Sequence, residues 1–135
     1  MNRIGREVGF AVAAWMIPFV ASVVLFPLKS SHPPLFDTLM GVVFSTSTVV
    51  LGCTYLRSIR ANHVARGTRI GAVWMSANWL LDGLMFSSGP MQMSLGQYVM
   101  DIGLAYLALP AITIGLGYAA TNAHRSGSTS SIPPH

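Results

Sequence analysis

The chain is poor in charge. Of its 135 residues only 9% are Asp, Glu, Lys or Arg, whereas 52% are hydrophobic, and the mean hydropathy is +0.54. A water-soluble domain carries about a quarter charged residues, so this composition excludes an ordinary hydrated surface and points to a membrane. Cysteine is nearly absent: Cys53 stands alone. That excludes an internal disulfide, a CxxC redox pair and a cysteine-rich zinc site, and with them the membrane thiol oxidoreductases. Histidine is missing from the apolar stretches, since His32, His63, His124 and His135 fall in loops or the tail. A histidine-ligated heme, which needs facing imidazoles inside a bundle, is therefore not expected. Neither GxSxG nor HExxH occurs, and no histidine at membrane depth can serve a catalytic triad. An intramembrane aspartyl protease would have to set Asp82 and Asp101 side by side, and the glycine motifs that usually surround such a pair are missing. The chain is read as a non-enzyme with no catalytic residue, metal or cofactor.

What the chain has in abundance is apolar sequence. About 20 helical residues cross a bilayer core of about 30 Å, and four stretches suffice: 9–28, 35–56, 70–88 and 98–120. Residues 1–120 are thus read as one all-α membrane domain, a four-helix transmembrane bundle whose short connections make consecutive helices antiparallel neighbours. Residues 121–135 include Ser126, Ser128, Ser130, Ser131, Pro133 and Pro134; they lack apolar periodicity and read as a disordered cytoplasmic tail. Arg3 and Arg6 before the first run imitate a signal peptide, but the run exceeds a signal h-region and no small-x-small site closes it, so the segment is expected to be retained.

The basic residues are unevenly placed. Arg3 and Arg6 precede the first span, Arg57, Arg60, Arg66 and Arg69 flank the second loop and Arg125 follows the fourth span, whereas Lys29 alone sits in the first loop and 89–97 has no charge. With four spans, the positive-inside rule puts both termini and the second loop in the cytoplasm. The location implied is the inner, cytoplasmic membrane of a bacterium or archaeon. The net charge of +4 thus reports orientation, and no nucleic-acid partner is expected. Arg57, Arg60, Arg66 and Arg69, with His63, could also hold anionic lipid headgroups or an acidic cytoplasmic partner, but the topology explains them more simply.

Within the spans, Pro18 and Pro110 each remove a backbone donor and predict a kink, either a hinge or a static bend. Gly41 and Ser45, with Thr46, Ser47 and Thr48, and farther on Gly103, Gly115 and Gly117, allow close helix approach inside the bundle or between protomers. Met75, Met85, Met91 and Met93 are read as adaptable filler, not copper ligands. Trp15, Trp74, Trp79 and Tyr98 are read as interfacial anchors and packing.

The three aspartates are the most informative residues, because an ionisable side chain at membrane depth is costly. Asp37 and Asp101 are placed in the first turns of their helices, where the positive dipole end explains a carboxylate. Asp82 has no such help. It lies thirteen residues after Arg69, about 20 Å along the helix, and Asn78, four residues earlier, shares its face. All three converge on the outer half of the membrane. Asp82 is open to three fates: protonated, hydrogen-bonded to Asn78 and second-span hydroxyls, or facing a wet cavity with a proton or cation. Lys29 and His32 are the basic residues nearest in depth.

A duplication is suggested by Phe26 and Asp37 in one half and Phe86 and Asp101 in the other, each flanking a proline-containing loop. The chain has the size of the small multidrug exporters and fluoride channels, but Glu7 precedes the first span, which lacks a central glutamate, and the charge bias contradicts dual topology. The segments Asn78–Trp79–Leu80–Leu81–Asp82, Gly89–Pro90–Met91 and Tyr98 to Tyr106, with Pro110 to Thr113 following, resemble uncharacterised small four-span membrane proteins of bacteria and archaea. The resemblance implies fold and location and carries no activity. Two functions share this sequence pattern. The first is a structural or interaction bundle, packed through Asp82 and Asn78, that assembles with itself or another membrane protein in the lipid bilayer. The second is a small transporter or channel subunit passing a proton or cation at Asp82, assisted by Asp37 and Asp101.

Overall fold

The computed structural model describes residues 3–59, 61–87 and 94–129, apart from the side chains of Arg3, Phe86, Asp101 and residues 124–129. The described residues are almost all helical, without strands. Helix α1 spans Arg3–Ser31, α2 Pro33–Arg57, α3 His63–Ser87, α4 Leu95–Asp101 and α5 Ala108–Thr129, with a 3-10 segment, Gly103–Leu107, between the last two.

Local chemistry sets these limits. His32 alone separates α1 from α2, and Pro33 and Pro34 take the first positions of α2, where a missing N–H costs nothing. Asn62, before α3, has a φ of 58°, a left-handed conformation that asparagine tolerates better than most residues. Its carbonyl receives the Arg66 N–H at 3.0 Å. Ser94 caps α4 by accepting the Gln97 N–H at 3.3 Å.

Three helical stretches are long and apolar enough to cross a membrane: Ile4–Ser31, Pro33–Arg57 and Gly103–Ala123. Helix α3 has the length, but it carries Arg66, Arg69, Asn78 and Asp82. It packs most extensively against α5 and also on α1, while α2 packs on α1 and α5 and barely meets α3. The α3–α5 crossing is antiparallel and glycine-lined. A Cβ on Gly67 would strike the Thr113 carbonyl and one on Gly71 the Thr113 hydroxyl, while one on Gly117 would lie 2.7 Å from the His63 carbonyl oxygen. Gly67 and Gly71 form a GxxxG pair, the spacing that lets two helix backbones touch. Gly41 and Gly115 have open space at the same position.

The buried apolar residues, among them Ala11, Ala14, Tyr55, Ile70, Trp74 and Leu109, share the interior with buried Glu7, Ser47, Thr48, His63, Asn78, Asp82 and Thr113. Large apolar side chains point outward: Val24, Leu80 and Leu84 are all more than 60% exposed. Polar groups inside and hydrocarbon outside reverse the pattern of a water-soluble domain.

Several elements differ from the sequence reading. The stretch 98–120 is divided among α4, the 3-10 segment and α5, so Pro110 is the third residue of a helix, a position that tolerates proline. Helix α1 runs unbroken through Pro18 and also through Pro27. Asp37 is the fifth residue of α2 and Asp101 the last of α4; neither lies in a first turn, so dipole stabilisation there does not account for them. Helix α5 continues to Thr129, covering 121–129 of the segment read as a tail. Arg60, residues 88–93, among them Met91 and Met93, and residues 130–135 lie outside the described residues.

Candidate functional site

The buried positions of α3 recur at 63, 67, 70, 71, 74, 78 and 82, a single stripe at helical spacing. Its last member is Asp82, 6% exposed. The carboxylate is enclosed by donors from other elements. Trp15 of α1 donates its indole N–H to Oδ1 at 2.8 Å. Tyr106, in the 3-10 segment, donates its hydroxyl to Oδ2 at 2.6 Å, and Tyr98 of α4 donates to the same oxygen at 3.1 Å.

Each donor is positioned by local structure. Trp15 stacks on Phe19, one turn later, with centroids 4.8 Å apart. Tyr106 rests on Phe44 of α2 at 5.6 Å. Tyr98 follows the Ser94 cap by one turn, and its ring lies against Gly103, whose carbonyl accepts the Trp79 indole N–H at 3.3 Å. The 3-10 winding before Pro110 advances the chain faster per residue than an α-helix does, and it places Tyr106 on the same carboxylate as Tyr98. Both Asp82 oxygens are thus occupied by neutral N–H and O–H donors.

Asn78 is 1% exposed, but its amide N–H donates to the Trp74 carbonyl at 2.8 Å and no bond joins it to Asp82. Asp37 is exposed and has no bond to Asp82 among the described residues; the Asp101 side chain lies outside them. Lys29 stands 5.9 Å from the Phe36 ring centroid. Among the described residues no Lys, Arg or His pairs with Asp82, and no group of three or more His, Cys, Asp or Glu is placed to hold a metal. A surface hollow lined by Ser31, His32, Pro33, Pro34 and Leu35 includes none of the residues around Asp82.

A second polar cluster escaped the sequence reading. Glu7, 4% exposed, accepts the Tyr55 hydroxyl at 3.1 Å and pairs with Arg69 at 3.2 Å. The Arg6 guanidinium lies over the Tyr55 ring, 5.3 Å from its centroid. Phe10 packs edge-on against Tyr55 at 5.8 Å and stacks on Trp74 at 6.3 Å. The clue was available: Glu7 is the chain's only glutamate, and positions 7, 11 and 14 form one helical face with the buried Ala11 and Ala14.

The pairs Glu7–Arg69 and Trp15–Asp82 run in the same direction along α1 and α3, so these two helices are parallel. Taken together, the contacts suit a carboxylate that fastens α1, α4 and the 3-10 segment to α3. A cation reaching Asp82 would meet a carboxyl group whose two oxygens both already accept hydrogen bonds. No known protein family, curated protein or solved structure matches the chain.

Proposed function

We propose that this is a non-enzymatic, multi-pass membrane protein that works by assembling with itself or with another membrane protein. In this reading α1, α2, α3 and the α4–α5 unit form a four-helix transmembrane bundle, with Asp82 as its internal fastening. The observation that carries it is the set of three donors that engage both oxygens of a nearly inaccessible carboxylate. The apolar exterior supports a lipid environment. The arginines at 57, 66 and 69, with Arg60 and the N-terminal pair, support cytoplasmic termini and the cytoplasmic membrane of a bacterium or archaeon.

The competing reading is a small transporter or channel subunit that moves a proton or cation through Asp82, and it draws on the same buried carboxylate. The donor cage favours the fastening. Reconstitution into vesicles separates the two. The expected result is no gradient-driven proton or cation flux in the parent protein, with thermal midpoints in detergent falling from parent to Asp82→Asn to Asp82→Ala. Asparagine keeps one acceptor oxygen and alanine none. Flux in the parent that disappears in Asp82→Asn would overturn the fastening. Assembly is tested by native mass in mild detergent, where a species heavier than one 14.4 kDa chain is expected; a strict monomer with no co-purifying partner contradicts it.

A further inference from the structure

Two buried atoms on the inward stripe of α3 have no protein partner: the indole nitrogen Nε1 of Trp74 and the amide oxygen Oδ1 of Asn78. Trp74 is 0% and Asn78 1% exposed, and the two residues are one helical turn apart, about 6 Å in rise. An indole N–H can only donate. The Asn78 oxygen can only accept, and its orientation is fixed: Nδ2 already donates to the Trp74 carbonyl at 2.8 Å, and turning the amide over would set two acceptors against each other. The pair therefore presents one unused donor and one unused acceptor on the same face of the same helix.

We propose that Trp74 Nε1 and Asn78 Oδ1 hold a buried water molecule at the centre of the helix assembly. Water accepts from the indole and donates to the amide, and ordered water is the usual partner of buried polar groups that lack one. Its second hydrogen has an acceptor at this depth. Thr48 of α2 is 1% exposed, and its own proton goes to the Phe44 carbonyl at 2.7 Å, leaving oxygen lone pairs free to accept. The register sets its level. Phe44, one turn before Thr48, packs on Tyr106, which is bonded to Asp82. Gly52, one turn after, lies beside Thr113, which borders Gly71. Thr48 thus falls between the depths of Gly71 and Asp82, where Trp74 and Asn78 lie. Trp74 and Asn78 alone give the smallest number of partners a buried water ordinarily takes, and Thr48 shares their level on a helix that meets α3 only sparsely. Asn78 then has a role distinct from that of Asp82: it holds solvent in the core, whereas Asp82 is satisfied by protein donors alone.

The test is nuclear magnetic resonance of the full chain in lipid nanodiscs with 15N-labelled indoles. The three tryptophan signals are assigned by Trp→Phe substitution. Trp15 and Trp79 donate to protein acceptors at 2.8 and 3.3 Å, and they serve as internal references. The expected result is a dipolar cross-peak between the Trp74 indole proton and water, of the sign given by a long-lived bound molecule, with none for Trp15. Asn78→Leu should abolish that cross-peak and move the Trp74 indole proton upfield. A parent spectrum without it, or with a cross-peak to lipid protons in its place, overturns the proposal, and that reading needs no variant to fold. A cross-peak that persists unchanged in folded Asn78→Leu overturns the role assigned to Asn78.

Discussion

The three bonds that reach Asp82 are unequal. Tyr106 is buried and its 2.6 Å bond is the shortest, whereas Tyr98 donates over 3.1 Å from a partly exposed position. Tyr106→Phe keeps the ring on Phe44 and removes only the donor, at an expected cost of about 1–3 kcal/mol. Tyr98→Phe should cost less. Denaturant titration in mixed micelles ranks the two, and equal losses would mean that the short bond has no special weight. The sequence marks Asp82 as a costly ionisable residue in an apolar stretch, but it does not mark its partners. Helical spacing identifies neighbours on the same helix and so points to Asn78, whereas the donors Trp15, Tyr98 and Tyr106 lie 67, 16 and 24 positions away; Trp15 and Tyr98 read as anchors and packing, and Tyr106 carries no reading of its own. Glu7 and Arg69 call for a coupled measurement, because Arg69 is half exposed while Glu7 is buried. Arg69→Leu removes the cation from beside a buried carboxylate, and a further Glu7→Gln removes the charge left behind. The double variant should therefore be more stable than Arg69→Leu alone, and strictly additive losses would show that the pair is uncoupled.

At the scale of elements, the first three helices could be read from apolar runs and the arginines that border them. The fourth could not, because hydropathy averages over a change of winding. Pro110 lacks the N–H that would bond back to Tyr106, the residue whose hydroxyl reaches Asp82, and the chain before it winds as a 3-10 segment. The Ser94–Gln97 cap shows in the sequence as a serine three residues before a glutamine. The GxxxG pair of α3 gives no stronger signal in the sequence than Gly41, Ser45 or the glycines near the C-terminus, and only the α5 backbone facing it sets it apart. A Cβ on Gly71 would meet the Thr113 hydroxyl and lie 2.6 Å from the Cα of Pro110. The Thr113 hydroxyl can turn aside, but the Pro110 Cα moves only with its helix, so the helices must separate. Gly71→Ala should cost about 1–3 kcal/mol through overpacking. Gly115→Ala, with nothing within 4 Å of the new methyl, should be neutral or gain up to about 1 kcal/mol from helix propensity. Thermal unfolding of the two variants checks the contrast, and equal midpoints would mean that the α3–α5 approach is looser than described.

Among the described residues, buried polar side chains face other helices while large apolar ones point outward, and that arrangement explains why α3, the helix with the weakest membrane credentials, carries the buried stripe. Its arginines cluster toward its N-terminal end, its Asn78 and Asp82 are buried, and its exposed residues include Trp79, Leu80 and Leu84. Composition averages around the helix and cannot see this separation of faces, so α3 is absent from the stretches long and apolar enough to cross a membrane although it sits among three that qualify. The same geometry fixes relative direction. Because α1 is parallel to α3 and α3 antiparallel to α5, the end holding Glu7, Arg69 and the α2–α3 connection must lie opposite the His32 turn. An arginine-rich end is the one retained in the cytoplasm. Single cysteines introduced as Ala61→Cys and Ser30→Cys in a Cys53→Ser background therefore divide cleanly. A membrane-impermeant maleimide applied to intact cells should label position 30 and spare position 61, and permeabilisation should expose both. The opposite pattern reverses the orientation while leaving the packing intact; labelling of both positions in intact cells contradicts a fixed orientation altogether.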